Sequence, residues 1–276
     1  MKPEASITWE AAVSQLKALP EQRALVEACF YDDPLLAAAE RYHGSTEWRA
    51  VRRLLAGMVT GTALDIGSGR GISAFALARD GWRVTALEPD PSSVVGAGAI
   101  RGLARDAGLP IEVVETWGEK LPFDDGAFDL VHCRQVLHHA RDLNQLCHEV
   151  GRVLRPGGIF LATREHVISR SEDLQAFLDS HPLHRLYGGE NAYLQSEYEQ
   201  AIRDAGVDIE QVLNPYQSDI NTYPDTRSDM KARLARKLRL PSPALIPDAV
   251  LSLAGAWRRT PGRLFTFVGR KPGTSA

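Results

Sequence analysis

The chain has 276 residues, of which 44% are hydrophobic and 24% are charged; this composition supports a full core in one domain or in a domain with an appendage. The net charge of -3 excludes a global field that attracts nucleic acid or anionic lipid, so such a partner would need a local patch. No apolar run reaches the ~20 residues that span a bilayer, and the start "MKPEASITWE" lacks a signal-peptide core, so we expect a cytoplasmic protein without a membrane span.

Residues 1–57 carry helical patterns and little strand character. The patterns are "TWEAAVSQLKAL", "EQRALVEACF", "PLLAAAERY" and "EWRAVRRLLAG", and they predict an N-terminal helical segment. The cysteines, Cys29, Cys133 and Cys147, form no close metal-ligand pair and cannot all pair with one another. This usage is typical of a reducing compartment.

Residues 58–213 alternate strand patterns with helical stretches. The strand patterns are "TALDI", "RVTALE", "IEVVET", "FDLVHC", "GIFLAT" and "VDIEQVL", and "RLFTFVG" follows in the last segment, 263–276. This alternation predicts an α/β fold with a mainly parallel sheet of seven strands, covered on both faces.

The segment between the last two strands, 214–262, is too long for a plain connection and has a partly helical pattern. We expect a helical cap inserted at the sheet edge. Its basic stretch could meet phosphates or form a solvated helix face; it contains Arg227, Lys231, Arg233, Arg236, Lys237 and Arg239.

A glycine-rich turn follows the first strand, in "ALDIGSGRG". A dinucleotide site would need a third glycine where Ile72 stands, which weakens a pyrophosphate-binding interpretation. The turn still brings backbone N–H groups close to a ligand. Asp65 ends the strand, where it can meet an ammonium group, and Glu88 ends the next strand, where it can accept hydrogen bonds from ribose hydroxyls. These features indicate a nucleoside that carries an amino-acid group, such as S-adenosylmethionine (SAM).

Four segments in order then resemble the class I SAM-dependent methyltransferases, within the type 11 group that includes the ubiquinone and menaquinone biosynthesis methyltransferases. They are "ALDIGSGRG", "VTALEPD", "WGEKLPFDDGAFDLVHCRQVLHH" and "EVGRVLRPGGIFLAT". The resemblance implies a Rossmann-like, doubly wound sheet and SAM as cofactor. The implied cofactor-binding residues are Asp65, Gly67, Ser68, Gly69, Glu88, Pro89, Gly118, Glu119 and Arg134. Trp117 stands where the family often has an acidic residue; it is either a core aromatic or a neighbour of the adenine.

The sequence indicates less about the residues that would contact the methyl acceptor. His138 and His139 follow the fourth strand and could remove a proton from a hydroxyl substrate, or they could cap or pack the next helix. Because adjacent histidines point different ways and no carboxylate joins them at ligand spacing, we expect no metal site. The acceptor contacts are predicted from the stretch after the fifth strand: His166, Tyr187, Asn191 and Tyr193, with His181 and His184 as further pocket candidates.

The sequence therefore predicts a SAM-dependent methyltransferase that acts on a small molecule at oxygen or carbon. The fourth strand lacks the Asn/Asp-Pro-Pro-aromatic motif of enzymes that methylate amide or adenine nitrogens, which disfavours a nucleic-acid partner. Three alternatives remain: an RNA methyltransferase that uses the stretch 227–239, a non-catalytic SAM-binding protein, and an NAD-dependent oxidoreductase, which the glycine spacing opposes. A homo-oligomer is left open.

Overall fold

The computed structural model describes residues 7–273, and one eight-stranded sheet forms its centre. The strands are β1 (Thr62–Ile66), β2 (Arg83–Leu87), β3 (Ile111–Val114), β4 (Phe128–Arg134), β5 (Leu154–Ile168), β6 (Tyr193–Leu194), β7 (Asp208–Leu213) and β8 (Arg263–Arg270). Their order is β3-β2-β1-β4-β5-β8-β7, with β6 beside β5. Strands β1 to β6 pair in parallel, whereas β8 pairs antiparallel with both β5 and β7. The predicted mainly parallel, doubly wound sheet is confirmed.

Helices precede the sheet, cover its faces and fill the segment before β8. They are α1 (Trp9–Ala18), α2 (Arg23–Ala28), α3 (Leu35–His43), α4 (Thr46–Leu54), α5 (Ile72–Arg79), α6 (Ala97–Ala107), α7 (Leu143–Val153), α8 (Asp173–Ser180), α9 (Pro182–Tyr187), α10 (Gln195–Asp204), α11 (Asp219–Thr222), α12 (Arg227–Lys237) and α13 (Asp248–Trp257). Within residues 7–273, no helix combines the length and the apolar character that a membrane crossing requires.

The seven predicted strands are present, but β5 is longer than its apolar pattern. The pattern "GIFLAT" ends at Thr163, whereas the strand continues to Ile168 through polar residues that are buried. Those polar groups find partners inside the protein: Glu165 accepts from the backbone N–H of Val136 at 3.0 Å, and His166 lies 2.8 Å from the carbonyl oxygen of Gly262. Internal hydrogen bonds thus allow the strand to continue through buried polar residues where the apolar pattern ends. The two-residue strand β6 is too short to give a pattern.

The N-terminal helices are part of the core rather than an appendage. Tyr42 of α3 and Trp48 of α4 are fully buried, and they pack in one hydrophobic cluster with Ala63 of β1 and Leu130 of β4. The other face of the sheet packs against α7 and α10 in a second cluster. The sheet is therefore covered on both faces, as predicted, and its carboxyl-terminal edge stays available for a ligand.

The segment 214–262 is helical, as predicted, and its first part belongs to the core. Ile220 of α11 is fully buried, and the neighbouring Asn221 accepts a hydrogen bond from the hydroxyl of Thr266 at 2.7 Å. Helix α11 therefore packs onto β8 before the chain continues into α12 and α13.

Candidate cofactor and acceptor site

A cavity of about 910 Å³ lies at the carboxyl-terminal edge of the sheet. This is the edge at which open parallel sheets bind ligands. All nine residues expected to contact the cofactor line it: Asp65, Gly67, Ser68, Gly69, Glu88, Pro89, Gly118, Glu119 and Arg134. The topology therefore brings together residues that the sequence places at or after the ends of four strands.

The glycines after β1 differ in what they require. Gly67 and Gly69 have positive φ angles of 61° and 53°, a conformation that favours glycine. A Cβ at Gly67 would lie 2.7 Å from a methyl of Val136, so the neighbouring side chain also excludes a larger residue there. A Cβ at Gly69 would meet nothing within 4 Å. Because Gly69 lines the cavity, its backbone faces space that a ligand can occupy.

Asp65 presents a buried carboxylate oxygen without a hydrogen-bond donor. It ends β1 in register with His132 of β4, and the His132 Nδ1 lies 2.7 Å from the Asp65 Oδ1. The second oxygen, Oδ2, is buried and has no partner, although Asp65 is only 1% exposed. A buried acceptor without a donor is costly, and the ammonium of an amino-acid ligand would supply one. His132, which holds the carboxylate, was not among the predicted site residues.

Glu88 lies across the glycine turn from Asp65. Its carboxylate accepts hydrogen bonds from the backbone N–H groups of Gly69, at 2.8 Å, and Asp90, at 3.0 Å. Burial outweighs these two hydrogen bonds and raises the pKa of Glu88 to about 7. The carboxyl group therefore changes charge near neutral pH at the position expected to meet the ribose.

This pKa predicts a pH-dependent affinity for a ligand with vicinal hydroxyls. Only the ionised Glu88 accepts from both hydroxyls, so we expect SAM affinity to rise with pH up to about 7 and to level off above it, with a limit of about tenfold per pH unit. Calorimetric titration across this range measures it, and the Glu88→Gln variant, which cannot ionise, should give a flat profile. A wild-type profile as flat as that of the variant would contradict the role of Glu88.

The pKa of Glu88 also predicts how stability depends on pH without ligand. The unfolded chain loses this proton near pH 4.5, whereas the folded chain keeps it to about 7. The contribution of Glu88 to the free energy of unfolding therefore falls as the pH rises between these values.

Trp117 lines the cavity and is 50% exposed, so it is not a core aromatic. The guanidinium carbon of Arg141 lies 4.0 Å from the centroid of its ring, within cation–π distance. The neighbouring Glu119 accepts from the backbone N–H of Arg141 at 2.9 Å. A Cβ at Gly118 would lie 2.5 Å from a methyl of Leu146, which explains the glycine. The indole face is thus held at the predicted adenine end.

Arg134 lines the cavity, but its guanidinium is bound by another residue. Its Nε and Nη2 donate to the two carboxylate oxygens of Glu47, at 2.6 and 3.1 Å. Glu47 is fully buried on α4, and Arg164 of β5 lies 3.8 Å from it. This buried charge cluster joins the N-terminal helices to the sheet. A direct contact between Arg134 and the cofactor stays a prediction.

The predicted acceptor residues separate into two groups. His138, His139, His166 and Tyr187 line the cavity, as does His181. Asn191 and Tyr193 do not line it, so the expectation that they contact the acceptor is not supported by their positions. The Tyr193 hydroxyl reaches the carbonyl oxygen of Ala140, and its ring packs against Tyr198 in the second core cluster. The pairing of β6 with β5 places Tyr193 there.

The roof of the cavity comes from the N-terminal segment and the stretch 181–190. Its N-terminal contributors are Trp9, Leu16, Leu25, Cys29, Phe30 and Tyr31. The Trp9 and Tyr187 rings meet edge to face, 5.5 Å apart, so the two parts touch above the cavity. Arg70, in the glycine turn, donates to the carbonyl oxygens of Phe30 and Asp32 at 3.3 and 3.0 Å. Sequence reasoning missed this roof because the helical patterns carry no motif.

The segment 214–262, all of which the structure describes, supplies no lining residue to this cavity. The segment is helical, as the sequence predicts, but it contributes nothing to the walls of this cavity. Three of the six basic side chains in the stretch 227–239 pair with acids: Arg227 and Lys231 with Asp248, at 2.9 and 2.5 Å, and Arg233 with Asp225. These ion pairs favour a solvated helix face over a phosphate-binding one.

The two adjacent histidines have buried carboxylate neighbours. The Nδ1 of His138 lies 2.6 Å from Glu165, and its Nε2 lies 3.6 Å from Glu190. Burial opposes a charged imidazole, but the two carboxylates outweigh it and raise the pKa of His138 to about 9. His138 is then protonated at neutral pH and is a poor general base. The expectation that no carboxylate joins these histidines is wrong, because Glu165 and Glu190 come from distant parts of the chain.

Comparisons with known proteins agree with this geometry. A family model described as "Methyltransferase domain" matches residues 64–162. A ubiquinone biosynthesis O-methyltransferase of Methylobacterium sp. (strain 4-46) is 34% identical over 134 residues, which are 49% of this chain and 51% of that protein. The chain spans about half the length of the curated relatives it matches.

Solved structures share the fold over most of the chain. Geranyl diphosphate C-methyltransferase from Streptomyces coelicolor A3(2) covers 87% of this chain and 85% of its own, with a TM-score of 0.60 at 16% identity. A cyclase covers 86% and 82%, with a TM-score of 0.57 at 21% identity. At these sequence identities the structural similarity shows the fold alone, and the chemistry has to be inferred from the site residues. The family match thus covers residues 64–162, the same part of the chain whose motifs resemble the class I SAM-dependent methyltransferases.

Proposed function

We propose that this protein binds SAM and transfers its methyl group to an oxygen or carbon atom of a small molecule. The observation that carries the proposal is the partnerless Oδ2 of Asp65, in one cavity with Glu88 and the open face of Gly69. This donor and acceptor set suits an ammonium group and a ribose at the same time. The relative that is named as an O-methyltransferase and the neighbour that is named as a C-methyltransferase support the reaction class.

Different residues along the cavity contact different parts of SAM. Asp65 holds the ammonium end, Glu88 accepts from the ribose hydroxyls, and Trp117 with Gly118 and Glu119 flanks the adenine. When bound, SAM supplies a methyl group that its sulfonium already activates. The protein therefore has to fix the acceptor atom in line with that methyl and to exclude water.

The acceptor end favours a small molecule with a polar oxygen. Apolar and aromatic side chains of the roof, including Leu16, Leu25 and Phe30, lie with the cluster of histidines around one cavity. The contact between Trp9 and Tyr187 lies above the cavity, which favours a small acceptor over a folded macromolecule. The RNA alternative gains no support from α12, and a homo-oligomer stays a prediction.

The Asp65→Asn variant tests the ammonium contact. We expect SAM to bind about 10 to 100 times more weakly, because a charged acceptor for its ammonium is lost. Isothermal titration measures the affinity. Asp106→Asn, on the exposed end of α6, is the matched control and should bind as the wild type does. Equal affinities in the two variants would remove Asp65 from the site.

Turnover is tested by the release of S-adenosylhomocysteine. The protein is incubated with SAM and with fractions of a small-molecule extract, and product is measured by mass spectrometry. We expect release above background in a fraction that also gains the mass of one methyl group. SAM binding without release in any fraction would favour the non-catalytic alternative.

A further inference from the structure

We propose that His138, His139 and Glu190 bind one divalent transition-metal ion at the acceptor end of the cavity. The Nε2 atoms of His138 and His139 lie 3.6 and 3.8 Å from the same oxygen, Oε2 of Glu190. These separations exceed hydrogen-bond length. They are close to the ~3.4 Å that separates tetrahedral ligands when each lies ~2.1 Å from a shared ion.

The backbone and a second carboxylate already orient both imidazoles as metal ligands. The Nδ1 of His138 lies 2.6 Å from Glu165, and the Nδ1 of His139 lies 3.0 Å from the carbonyl oxygen of Gly189. Each Nδ1 therefore has an acceptor for its proton, which leaves Nε2 as the ligating atom. Metal-bound histidines are held by such outer partners in most known sites.

The charge around the site also requires a cation. The side chain of Glu165 is fully buried, and that of Glu190 is only 6% exposed. Two buried carboxylates on either side of the His138 ring need positive charge, which a proton or a metal ion can supply.

The ligand set selects the class of ion. Two imidazoles and one carboxylate suit Zn²⁺ or a neighbouring first-row ion, whereas Mg²⁺ prefers oxygen ligands. The His139 side chain is 41% exposed, and all three ligand residues line the cavity, so an ion can reach the site. The bound ion would keep one coordination position that faces the cavity. If the proposed methyl transfer holds, that open position would take an oxygen of the acceptor, such as a hydroxyl or an enol.

A second trio shares Glu190 and is less well prepared. His166 and His181 also place ligand atoms near Glu190, with the Nδ1 of His181 at 3.8 Å. That Nδ1 accepts from the backbone N–H of His184 at 3.4 Å. His181 thus lacks an orienting acceptor of the kind that holds His138 and His139.

The test uses the full chain, stripped with a chelator and then titrated with Zn²⁺ by calorimetry. Metal content after dialysis is measured by mass spectrometry, and Co²⁺ provides a visible spectrum for tetrahedral geometry. We expect one Zn²⁺ per chain and no measurable Mg²⁺ binding. His139→Ala and Glu190→Gln should each weaken Zn²⁺ binding by at least the 10–100-fold typical of an outer-shell loss.

Two controls keep the result specific. His148→Ala removes an exposed histidine on α7 and should bind Zn²⁺ as the wild type does, and SAM affinity should report that every variant is folded. Absence of Zn²⁺ binding to folded wild-type protein overturns the proposal. So does a pattern in which His181→Ala abolishes binding while His139→Ala retains it. Zn²⁺ binding without methyl transfer would instead reject the proposed function and leave the metal site standing.

Discussion

We expect the Gly69→Val variant to lose measurable SAM binding while the chain remains folded. Gly69 has φ of 53°, and the space beyond its Cα is open cavity. A valine there meets no protein atom at Cβ but occupies volume that the ligand needs. The left-handed conformation adds a folding cost of about 1 kcal/mol, which a domain of this size tolerates. At Gly67 the same change would strike Val136 and disturb the turn itself.

The matched control for this prediction is Gly108→Val. Gly108 ends α6 with φ of 64°, is exposed, and also has no atom within 4 Å of a built Cβ. The two variants therefore carry similar backbone strain, and only one of them fills the cavity. Calorimetric titration with SAM and a thermal melt are run on both. Wild-type affinity in Gly69→Val would reject the glycine turn as the ligand site.

We expect the Glu47→Ala variant to lose about 3–5 kcal/mol of the free energy of unfolding. The reason is that this change removes the two hydrogen bonds that the buried guanidinium of Arg134 makes to Glu47, together with the negative charge beside Arg164. A loss of this size is a large fraction of the stability of a typical domain. Because Arg134 lines the cavity and α4 carries Glu47, the loss should also loosen the packing of the N-terminal helices on the sheet.

Urea unfolding followed by tryptophan fluorescence measures this loss. Glu40→Ala, on the exposed face of α3, deletes the same carboxylate from a solvated position and should change the free energy of unfolding by less than about 0.5 kcal/mol. Equal stability of the two variants would contradict the view that the charge cluster holds the N-terminal segment in place.

The residues at the cofactor end of the cavity could be predicted from the sequence because they follow strands directly. Asp65 and Glu88 each stand at the carboxyl end of a strand with a clear apolar pattern, and parallel strands bring such ends to one edge. The glycine spacing then separated a nucleoside ligand from a dinucleotide. Local patterns sufficed here, since topology follows from the alternation of strands and helices.

The acceptor end of the site could not be predicted from the sequence, because its contacts join segments that are far apart along the chain. Glu190 meets His138 only through the path of the chain after β5, and no local spacing signals that meeting. The roof residue Trp9 lies in a helix whose pattern indicates only burial. The position of Tyr193 could not be predicted, since a polar, aromatic stretch looks the same in sequence whether it packs on a core or lines a pocket.

The measurement that tests the central claim most directly is a calorimetric titration of the wild-type protein with SAM, with NADH in a parallel cell. We expect one SAM to bind per chain, S-adenosylhomocysteine to compete with it, and NADH to give no heat of binding. Binding of NADH, or no binding of SAM to folded protein at pH 8, where Glu88 is ionised, would contradict the assignment of the cavity.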